Sequence, residues 1–191
     1  MNKTIFNTVL CSLLILSTFS FGQKNQSVVN KIKGFYVFVD SKPSAEYESL
    51  GEVKVDENDP EVKKSAQYQI IRDNLIKNAR AANYTADGII LTFVSGGTDK
   101  AEIIKFKDGQ KDKEIGQVEQ YQGIYVFIDA KPVAETTYLG TVKKKIGFST
   151  QYTAIRDALL KKCKKEFKDS DALIMKFVEG GSDTGDAVKL K

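Results

Sequence analysis

Two closely similar stretches decide the fold of this chain: Gly34-Phe35-Tyr36-Val37-Phe38-Val39-Asp40-Ser41-Lys42-Pro43-Ser44-Ala45-Glu46 and Gly123-Ile124-Tyr125-Val126-Phe127-Ile128-Asp129-Ala130-Lys131-Pro132-Val133-Ala134-Glu135. A shorter shared stretch follows each, first as Leu50-Gly51-Glu52-Val53-Lys54 and then as Leu139-Gly140-Thr141-Val142-Lys143. Such self-similarity indicates a duplicated structural unit. Residues shared by both copies serve folding or are used twice, so a specific function is better sought where the copies differ.

Each copy predicts the same order of secondary structure. Short runs of β-branched and aromatic residues predict strands at residues 35–39 and 124–128, and each run is followed by a proline, which cannot donate to a strand ladder. The Leu-Gly-x-Val-Lys stretch predicts a second strand paired with the first. Apolar residues at steps of three and four then predict one amphipathic helix per copy. The predicted buried stripes are Tyr68, Ile71, Leu75, Ala79 and Ala82, and Tyr152, Ile155, Leu159, Cys163 and Phe167.

Cap and turn residues complete the predicted fold. Ser65 and Ser149 precede the two helices, in the position where a serine oxygen accepts from free backbone N–H groups. After the strand that follows each helix, Gly96-Gly97 and Gly180-Gly181 predict hairpin turns. The predicted fold class is therefore α+β, with two tandem ββαββ modules, each a small, mostly antiparallel sheet packed on one helix.

The ends of the repeats set the predicted domain boundaries. In the first 22 residues a single charge at Lys3 is followed by a short apolar run and by small residues around Ser20 and Gly22, the pattern of a secretory signal peptide. We predict a signal peptide at 1–22, a first module at 29–106, a linker at 107–117 and a second module at 118–191. The mature chain is then expected to have no membrane span and to be periplasmic or secreted.

Composition excludes several classes of catalytic site. The chain has no histidine, so Ser-His-Asp and Cys-His arrangements and histidine metal sites are excluded. Cys163 is the one cysteine after residue 22, which excludes thiolate metal clusters and Cys-x-x-Cys chemistry. Its position on the helix stripe predicts a small buried residue. We therefore expect no enzyme activity, no metal site and no cofactor.

The charge differs between the two copies. Residues 29–106 contain eleven basic and twelve acidic residues, whereas residues 118–191 contain thirteen and ten. Such lysine runs commonly form a solvated helix face. Their alternative role is to bind an envelope protein or an anionic glycan, while the net charge of +4 implies no nucleic-acid partner. The candidate binding residues are Lys143, Lys144, Lys145, Lys161, Lys164 and Lys165.

The carboxylates of the repeats leave two alternatives open. Asp40, Glu46 and their counterparts Asp129 and Glu135 would suit a small-ligand or glycan-processing site if they faced each other across a cleft between the modules. The structural interpretation is that these residues fix turns. The acidic loop at residues 56–61 gives a different alternative, in which it attracts the basic second copy within the molecule.

A third shared polar residue supports the structural interpretation. Arg72 on the first predicted helix is expected to pair with Glu46 or Asp87. Such a pair would fix the helix on the sheet.

The order of these motifs resembles the module of the Rcs-type outer-membrane stress-sensor lipoproteins and of related small exported bacterial proteins of unknown function. The resemblance is carried by the Tyr-Val-Phe strand, the Lys-Pro turn, Leu-Gly-x-Val, the amphipathic helix and Ala-Asp-Gly-Ile-Ile-Leu, over residues 36–91 and 125–175. It implies an envelope location and protein contact rather than catalysis. The Rcs-type sensors are lipidated and locked by disulfides, and this chain is expected to have neither feature. The partners of those sensors are therefore not carried over. We expect an exported, non-enzymatic cell-envelope protein that serves as a macromolecule-binding or sensing module.

Overall fold

A computed structural model of the protein describes residues 24–65, 67–144, 150–178 and 182–191. The predicted signal peptide, Lys145, Ser149 and the second Gly-Gly pair lie outside these residues. The described chain has an α+β fold, with three sheets and three helices. The helices are α1 (Pro60–Lys64), α2 (Tyr68–Ala82) and α3 (Tyr152–Glu166). The strands are β1 (Gln26–Val29), β2 (Lys31–Ile32), β3 (Phe35–Val39), β4 (Ser41–Pro43), β5 (Tyr47–Lys54), β6 (Gly88–Thr92), β7 (Lys100–Phe106), β8 (Ile115–Val118), β9 (Gln120–Tyr121), β10 (Ile124–Ile128), β11 (Ala130–Pro132), β12 (Thr136–Lys143), β13 (Ala172–Lys176) and β14 (Thr184–Leu190).

The two larger sheets have corresponding strands in the same order. One runs β2-β3-β6-β7-β5 and the other, read from the matching edge, β9-β10-β13-β14-β12. β3 and β6 pair in parallel, as do β10 and β13, because a helix connects each pair as a crossover. The Leu-Gly-x-Val-Lys strands β5 and β12 pair with β7 and β14. Their predicted pairing with the first strand is wrong, since both edges of β3 and β10 are already occupied.

The helix stripes are confirmed for most of their length. α2 buries Tyr68, Ile71, Leu75 and Ala79, and α3 buries the corresponding positions through Cys163. The stripe of α2 ends one step early, because Ala82 is exposed. Cys163 is a free, fully buried thiol, as its position on the stripe predicts.

The loop before α2 contains a short helix that the sequence pattern did not reveal. Asp59 caps α1, since its Oδ1 accepts from the N–H of Glu61 at 3.0 Å, and Pro60 fits the first helical position. Ser65 ends α1 instead of starting α2. Gln67 precedes α2 and makes no side-chain cap. The predicted serine cap at Ser65 is therefore wrong.

The third sheet joins the two copies by exchange of strands. Its order is β11-β1-β8-β4, with all pairs antiparallel. β1 precedes the first copy and pairs with β11 of the second, while β8 precedes the second copy and pairs with β4 of the first. Residues 115–117 of the predicted linker thus form part of a strand rather than a flexible connection.

The apolar core is continuous between the copies. One cluster contains the inner faces of both helices and of both larger sheets. Two smaller clusters lie on the other faces of these sheets, around Phe38 and Phe127. Within the part of the chain that the structure describes, no helix has both the length and the apolar character that a membrane crossing requires.

Candidate functional site

A polar cluster at the end of β3 links the first copy to α3 of the second. Asp40 accepts hydrogen bonds from the Tyr152 hydroxyl and from Arg156, with 3.1 Å between Arg156 Nη1 and Asp40 Oδ2. The Tyr121 hydroxyl donates to the other oxygen of Asp40 at 3.0 Å. The side chains of Arg156 and Asp40 are 13% and 10% exposed. Asp40 is therefore a mostly buried carboxylate whose side-chain donors all come from the second copy.

The matching cluster lies at the end of β10. Asp129 accepts from the Tyr68 hydroxyl at 2.7 Å and from Arg72 Nη1 at 2.9 Å, and both donors belong to α2 of the first copy. The predicted pairing of Arg72 with Glu46 or Asp87 is wrong. The exchange of strands in the third sheet places Asp129 of the other copy beside α2, so the arginine fixes one copy on the other.

The backbone conformation of both aspartates suits the bend at which they lie. Asp40 has a φ of 47° and Asp129 a φ of 48°, in the left-handed region that aspartate tolerates better than most residues. The backbone N–H of Asn30 donates to the carbonyl of Asp129 at 2.7 Å, and that of Glu119 donates to the carbonyl of Asp40 at 3.0 Å. Side chain and backbone of each aspartate therefore hold the other copy.

Burial and charge fix the protonation of these clusters. Burial raises the pKa of the Tyr152 and Tyr68 hydroxyls well above the usual value, and the neighbouring carboxylates raise it further. Burial alone would lower the pKa of the Arg156 guanidinium, but Asp40 and Tyr152 raise it above its ordinary range. Near neutral pH the tyrosines stay protonated and the arginine stays charged, so every donor to Asp40 is present.

An aromatic cluster lies next to the two aspartates. The rings of Tyr68 and Phe177 stack with centroids 4.3 Å apart, and those of Phe93 and Tyr152 approach to the same distance. Tyr68 and Tyr152 are 5.7 Å apart. Because each close pair contains one ring from each copy, the cluster forms the hydrophobic centre of their junction.

The grooves beside this junction do not assemble the paired carboxylates of the alternative hypothesis. A groove of about 320 Å³ is lined by Asp129, and one of about 300 Å³ is lined by Asp40, but neither is lined by Glu46 or Glu135. Glu46 lies exposed and pairs with Lys107 at 2.7 Å. Asp129 is held by an arginine and a tyrosine, and Asp40 by an arginine and two tyrosines. Asp40 and Asp129 therefore stabilise the junction between the copies.

The lysines predicted on the second helix lie on its exposed face. Lys161, Lys164 and Lys165 are all exposed on α3. Lys164 donates to the backbone carbonyl of Gln122 at 2.9 Å. Neither Lys161 nor Lys165 forms an ion pair with any carboxylate in the described ranges. This face of α3 thus presents ammonium groups to solvent.

The lysines predicted at the end of β12 have different surroundings. Lys143 is exposed, and Lys145 lies outside the described residues. Lys144 pairs with Asp183 at 2.8 Å, and the two side chains are only 13% and 10% exposed. The lysine run therefore divides into exposed ammonium groups and one that is held inside the second copy.

The acidic loop of the first copy is held by its own helix. The Asp59 carboxylate pairs with Lys77 of α2 at 2.9 Å, and the N–H of Asp56 donates to Asn74 of α2 at 2.9 Å. No ion pair links residues 56–61 to a lysine of the second copy in the part of the chain that is described. The hypothesis that this loop attracts the second copy is therefore not supported there.

One pair of equivalent aspartates was missed as a site by sequence reasoning. Asp99 and Asp183 follow the glycine-rich turns of the two copies. The N–H of Val94 donates to the carboxylate of Asp99 at 2.8 Å, and the N–H of Val178 donates to that of Asp183 at 3.2 Å. The two carboxylates thus accept equivalent backbone hydrogen bonds.

Among the described residues, a cation lies beside only one of these two aspartates. The N–H of Lys144 donates to the backbone carbonyl of Asp183, and the N–H of Val55 donates to that of Asp99, both at 2.9 Å. Val55 therefore occupies the position of Lys144 and supplies no ammonium. No described lysine or arginine pairs with Asp99, and burial raises the pKa of its carboxyl. The replacement of Lys144 by Val55 between the repeats is the sequence signal for this difference.

This difference predicts opposite effects of the same substitution. Asp183→Asn is expected to lower the free energy of unfolding by about 2 kcal/mol, because it leaves Lys144 without its charged partner. Asp99→Asn is expected to raise it slightly at pH 7, because it removes a desolvated charge and keeps the acceptor for Val94. Because the pKa of Asp99 is raised in the folded protein, the wild type gains stability as the pH falls through that pKa. The advantage of Asp99→Asn in free energy of unfolding should therefore be smaller at low pH than at pH 7. Urea denaturation at pH 7 and pH 4.5 measures both effects, and equal changes in the two variants would contradict the assignment.

Charged and aromatic residues thus define three places of interest: the junction around Asp40 and Asp129, the lysine face of α3, and the surroundings of Asp99. The junction is occupied by contacts within the chain, whereas Lys161, Lys164 and Lys165 of α3 and Asp99 have no ion-pair partner among the described residues. No protein-family model, curated protein or solved structure matches the chain.

Proposed function

We propose that this chain is an exported, non-enzymatic cell-envelope protein that binds an anionic macromolecule, an acidic envelope protein or an anionic glycan, through the lysine face of α3. The observation that carries this proposal is the group of exposed ammonium groups on α3. This face, defined by Lys161, Lys162, Lys164 and Lys165, forms one weak ion pair with the described part of the chain, between Lys162 and Glu166 at 3.9 Å. Its positive potential is therefore mostly uncompensated by the helix itself.

The comparison of the two helices supports a role specific to the second copy. At the positions of the four lysines, α2 has Lys77, Asn78, Arg80 and Ala81. Lys77 is paired with Asp59, and Arg80 donates to the backbone carbonyl of Lys33. Lys77 is thus neutralised within the first copy, while Arg80 makes the same kind of backbone contact as Lys164 does with Gln122. The extra charge of α3 therefore lies at Lys162 and Lys165 and in the unpaired ammonium of Lys161, and the shared fold does not require it.

Two further features support the non-enzymatic and exported parts of the proposal. The shared carboxylates stabilise the junction between the copies, and the chain has no histidine to act as a general base. The first 22 residues have the pattern of a signal peptide. We further propose that each larger sheet with its long helix is one of two tandem ββαββ modules, to which the short exchanged strands of the third sheet were added.

Charge reversal on α3 tests the proposed surface. The test variant comprises residues 23–191 and carries Lys161→Glu, Lys164→Glu and Lys165→Glu. It is expected to bind polygalacturonate, an acidic glycan, at least about tenfold more weakly than the wild type. Three exposed ion pairs of roughly 0.5 kcal/mol each amount to that factor. Wild-type binding should weaken as salt rises. Equilibrium binding at 20 and 200 mM NaCl measures both effects.

A matched variant controls for net charge, and an extract tests the protein class of partner. Lys54→Glu, Lys111→Glu and Lys189→Glu make the same change in net charge at exposed positions away from α3, and should change the affinity by less than about threefold. The same two variants are compared in affinity capture from envelope extract. If neither the glycan nor any captured protein distinguishes the α3 variant from the control, the proposed surface is wrong.

A further inference from the structure

The two copies place equivalent carboxylates in unequal surroundings, and this supplies an internal comparison. In the second copy Asp183 holds the ammonium of Lys144 at 2.8 Å in a site that is nearly closed to solvent. In the first copy Asp99 has the same backbone contacts, but Val55 replaces the lysine. Asp99 is thus a half-buried carboxylate in a fold that, one repeat later, uses the same residue to bind an alkylammonium group.

A pocket lies at Asp99. Its volume is about 170 Å³, well above the roughly 10–15 Å³ that one water molecule requires on the same measure. The apolar part of its lining is formed by Val55, Val62, Ile71, Tyr68, Phe93, Val94 and Tyr152. The polar part includes Asp99, Glu57 and Thr98, of which Thr98 donates to Glu57 at 3.1 Å. The pocket therefore combines an apolar wall with two carboxylates.

This combination identifies the chemistry of the ligand. Two carboxylates favour a cation, and the aromatic rings add to that preference. A bare metal ion would need several oxygen ligands, whereas about half of this lining is apolar and no three acidic residues converge on it among the described residues. A cation with an aliphatic stem satisfies both parts, as a lysine side chain does when its stem lies on apolar surface. We propose that the pocket at Asp99 binds an alkylammonium group, supplied by a free aliphatic amine or by the lysine side chain of a partner protein.

The proposal defines a role for the copy-specific acidic loop. Val55, Glu57 and Val62 belong to the segment that holds α1 and that differs most between the copies. Asn74 and Lys77 of α2 hold this segment on the first copy. The segment thus supplies one wall of the pocket. This site is separate from the lysine face of α3, so either can fail experimentally without the other.

Titration with n-butylammonium tests the site directly. A dissociation constant on the order of 1 mM is expected, which lies within what five non-hydrogen atoms supply. The backbone amide signals of Val94 and Asp99 should shift saturably in 1H–15N NMR spectra. Uncharged n-butanol, which has the same stem, should bind at least about tenfold more weakly because it cannot pair with the carboxylate.

Two variants of the first copy separate this site from nonspecific binding. Asp99→Asn keeps the acceptor for Val94 and should weaken n-butylammonium binding at least about tenfold. Val55→Lys should place an ammonium beside Asp99, as Lys144 does beside Asp183, and should abolish the saturable shifts while the protein stays folded. Unchanged affinity in Asp99→Asn, or the absence of saturable shifts with the wild type, would overturn the proposal.

A second comparison identifies the source of the ammonium group. The affinities of 1,5-diaminopentane and of the blocked tripeptide Gly-Lys-Gly are measured with the wild type and with Asp99→Asn. Tighter binding of the peptide indicates a partner protein, and tighter binding of the diamine indicates a small-molecule amine. Both outcomes support the site if Asp99→Asn weakens them. If neither probe binds, the proposed site is contradicted.

Discussion

Asp40→Asn is expected to lower the free energy of unfolding by about 3 kcal/mol, because it leaves the mostly buried guanidinium of Arg156 without its buried carboxylate partner. Asparagine has nearly the shape of aspartate and tolerates the left-handed backbone of this position, so the loss reports the charge rather than the bend. The Tyr152 hydroxyl also loses a charged acceptor. Urea denaturation at pH 7, followed by circular dichroism, measures the change.

The same arginine provides the control for this effect. Arg156 Nε also donates to Asp157, at 3.2 Å, but that carboxylate is 57% exposed. Asp157→Asn should therefore change the free energy of unfolding by less than about 1 kcal/mol. The double variant Arg156→Met with Asp40→Asn leaves no buried charge unpaired. Its loss in free energy of unfolding should therefore be smaller than the sum of the losses of the two single variants. Equal losses in Asp40→Asn and Asp157→Asn would show that the junction does not depend on the buried pair.

Tyr68→Ala is expected to lower the free energy of unfolding by about 4 kcal/mol. Tyr68 is 1% exposed, its ring stacks on Phe177 of the other copy at 4.3 Å, and its hydroxyl donates to Asp129. The substitution therefore removes apolar contact and a donor at the same junction. Urea denaturation measures the effect, and the unfolding of the wild type should be a single transition because both copies share one core cluster.

Two variants divide this loss into its parts. Tyr68→Phe keeps the ring and removes the hydroxyl, so the expected loss is about 1–2 kcal/mol. Tyr84→Ala removes a ring that is 90% exposed and should change the free energy of unfolding by less than about 0.5 kcal/mol. If Tyr68→Ala were no more destabilising than Tyr84→Ala, the aromatic cluster would not hold the copies together.

Local pattern was sufficient for much of the fold. The strands of residues 35–39 and 124–128 and the buried positions of α2 and α3 follow from β-branched runs and helical spacing, which depend on neighbours in sequence. The partner of β5 was not predictable in this way, because any strand of suitable pattern can pair with any other. The cap at Ser65 was wrong because Asp59 and Pro60 form a stronger start signal for α1 a few residues earlier.

The residues of the candidate sites were likewise predictable from the sequence only in part. The exposed lysines of α3 could be read from the sequence, because a helix that buries one stripe must expose the other. Arg72 could not be paired from the sequence, since duplication offers it chemically equal carboxylates in both copies. Only the exchange of strands in the third sheet brings Asp129, rather than another carboxylate, beside Arg72.

The sequence by itself determined which stretches of the chain are similar to each other, where the principal strands and long helices lie, and that histidine chemistry is excluded, because these depend on local spacing and composition. The tertiary structure alone decided that the shared aspartates join the copies and that Val55 lies beside Asp99 where Lys144 lies beside Asp183. These features depend on which residues distant in sequence come within a few ångströms of each other, and two stretches of similar sequence leave that choice to the packing of the whole chain.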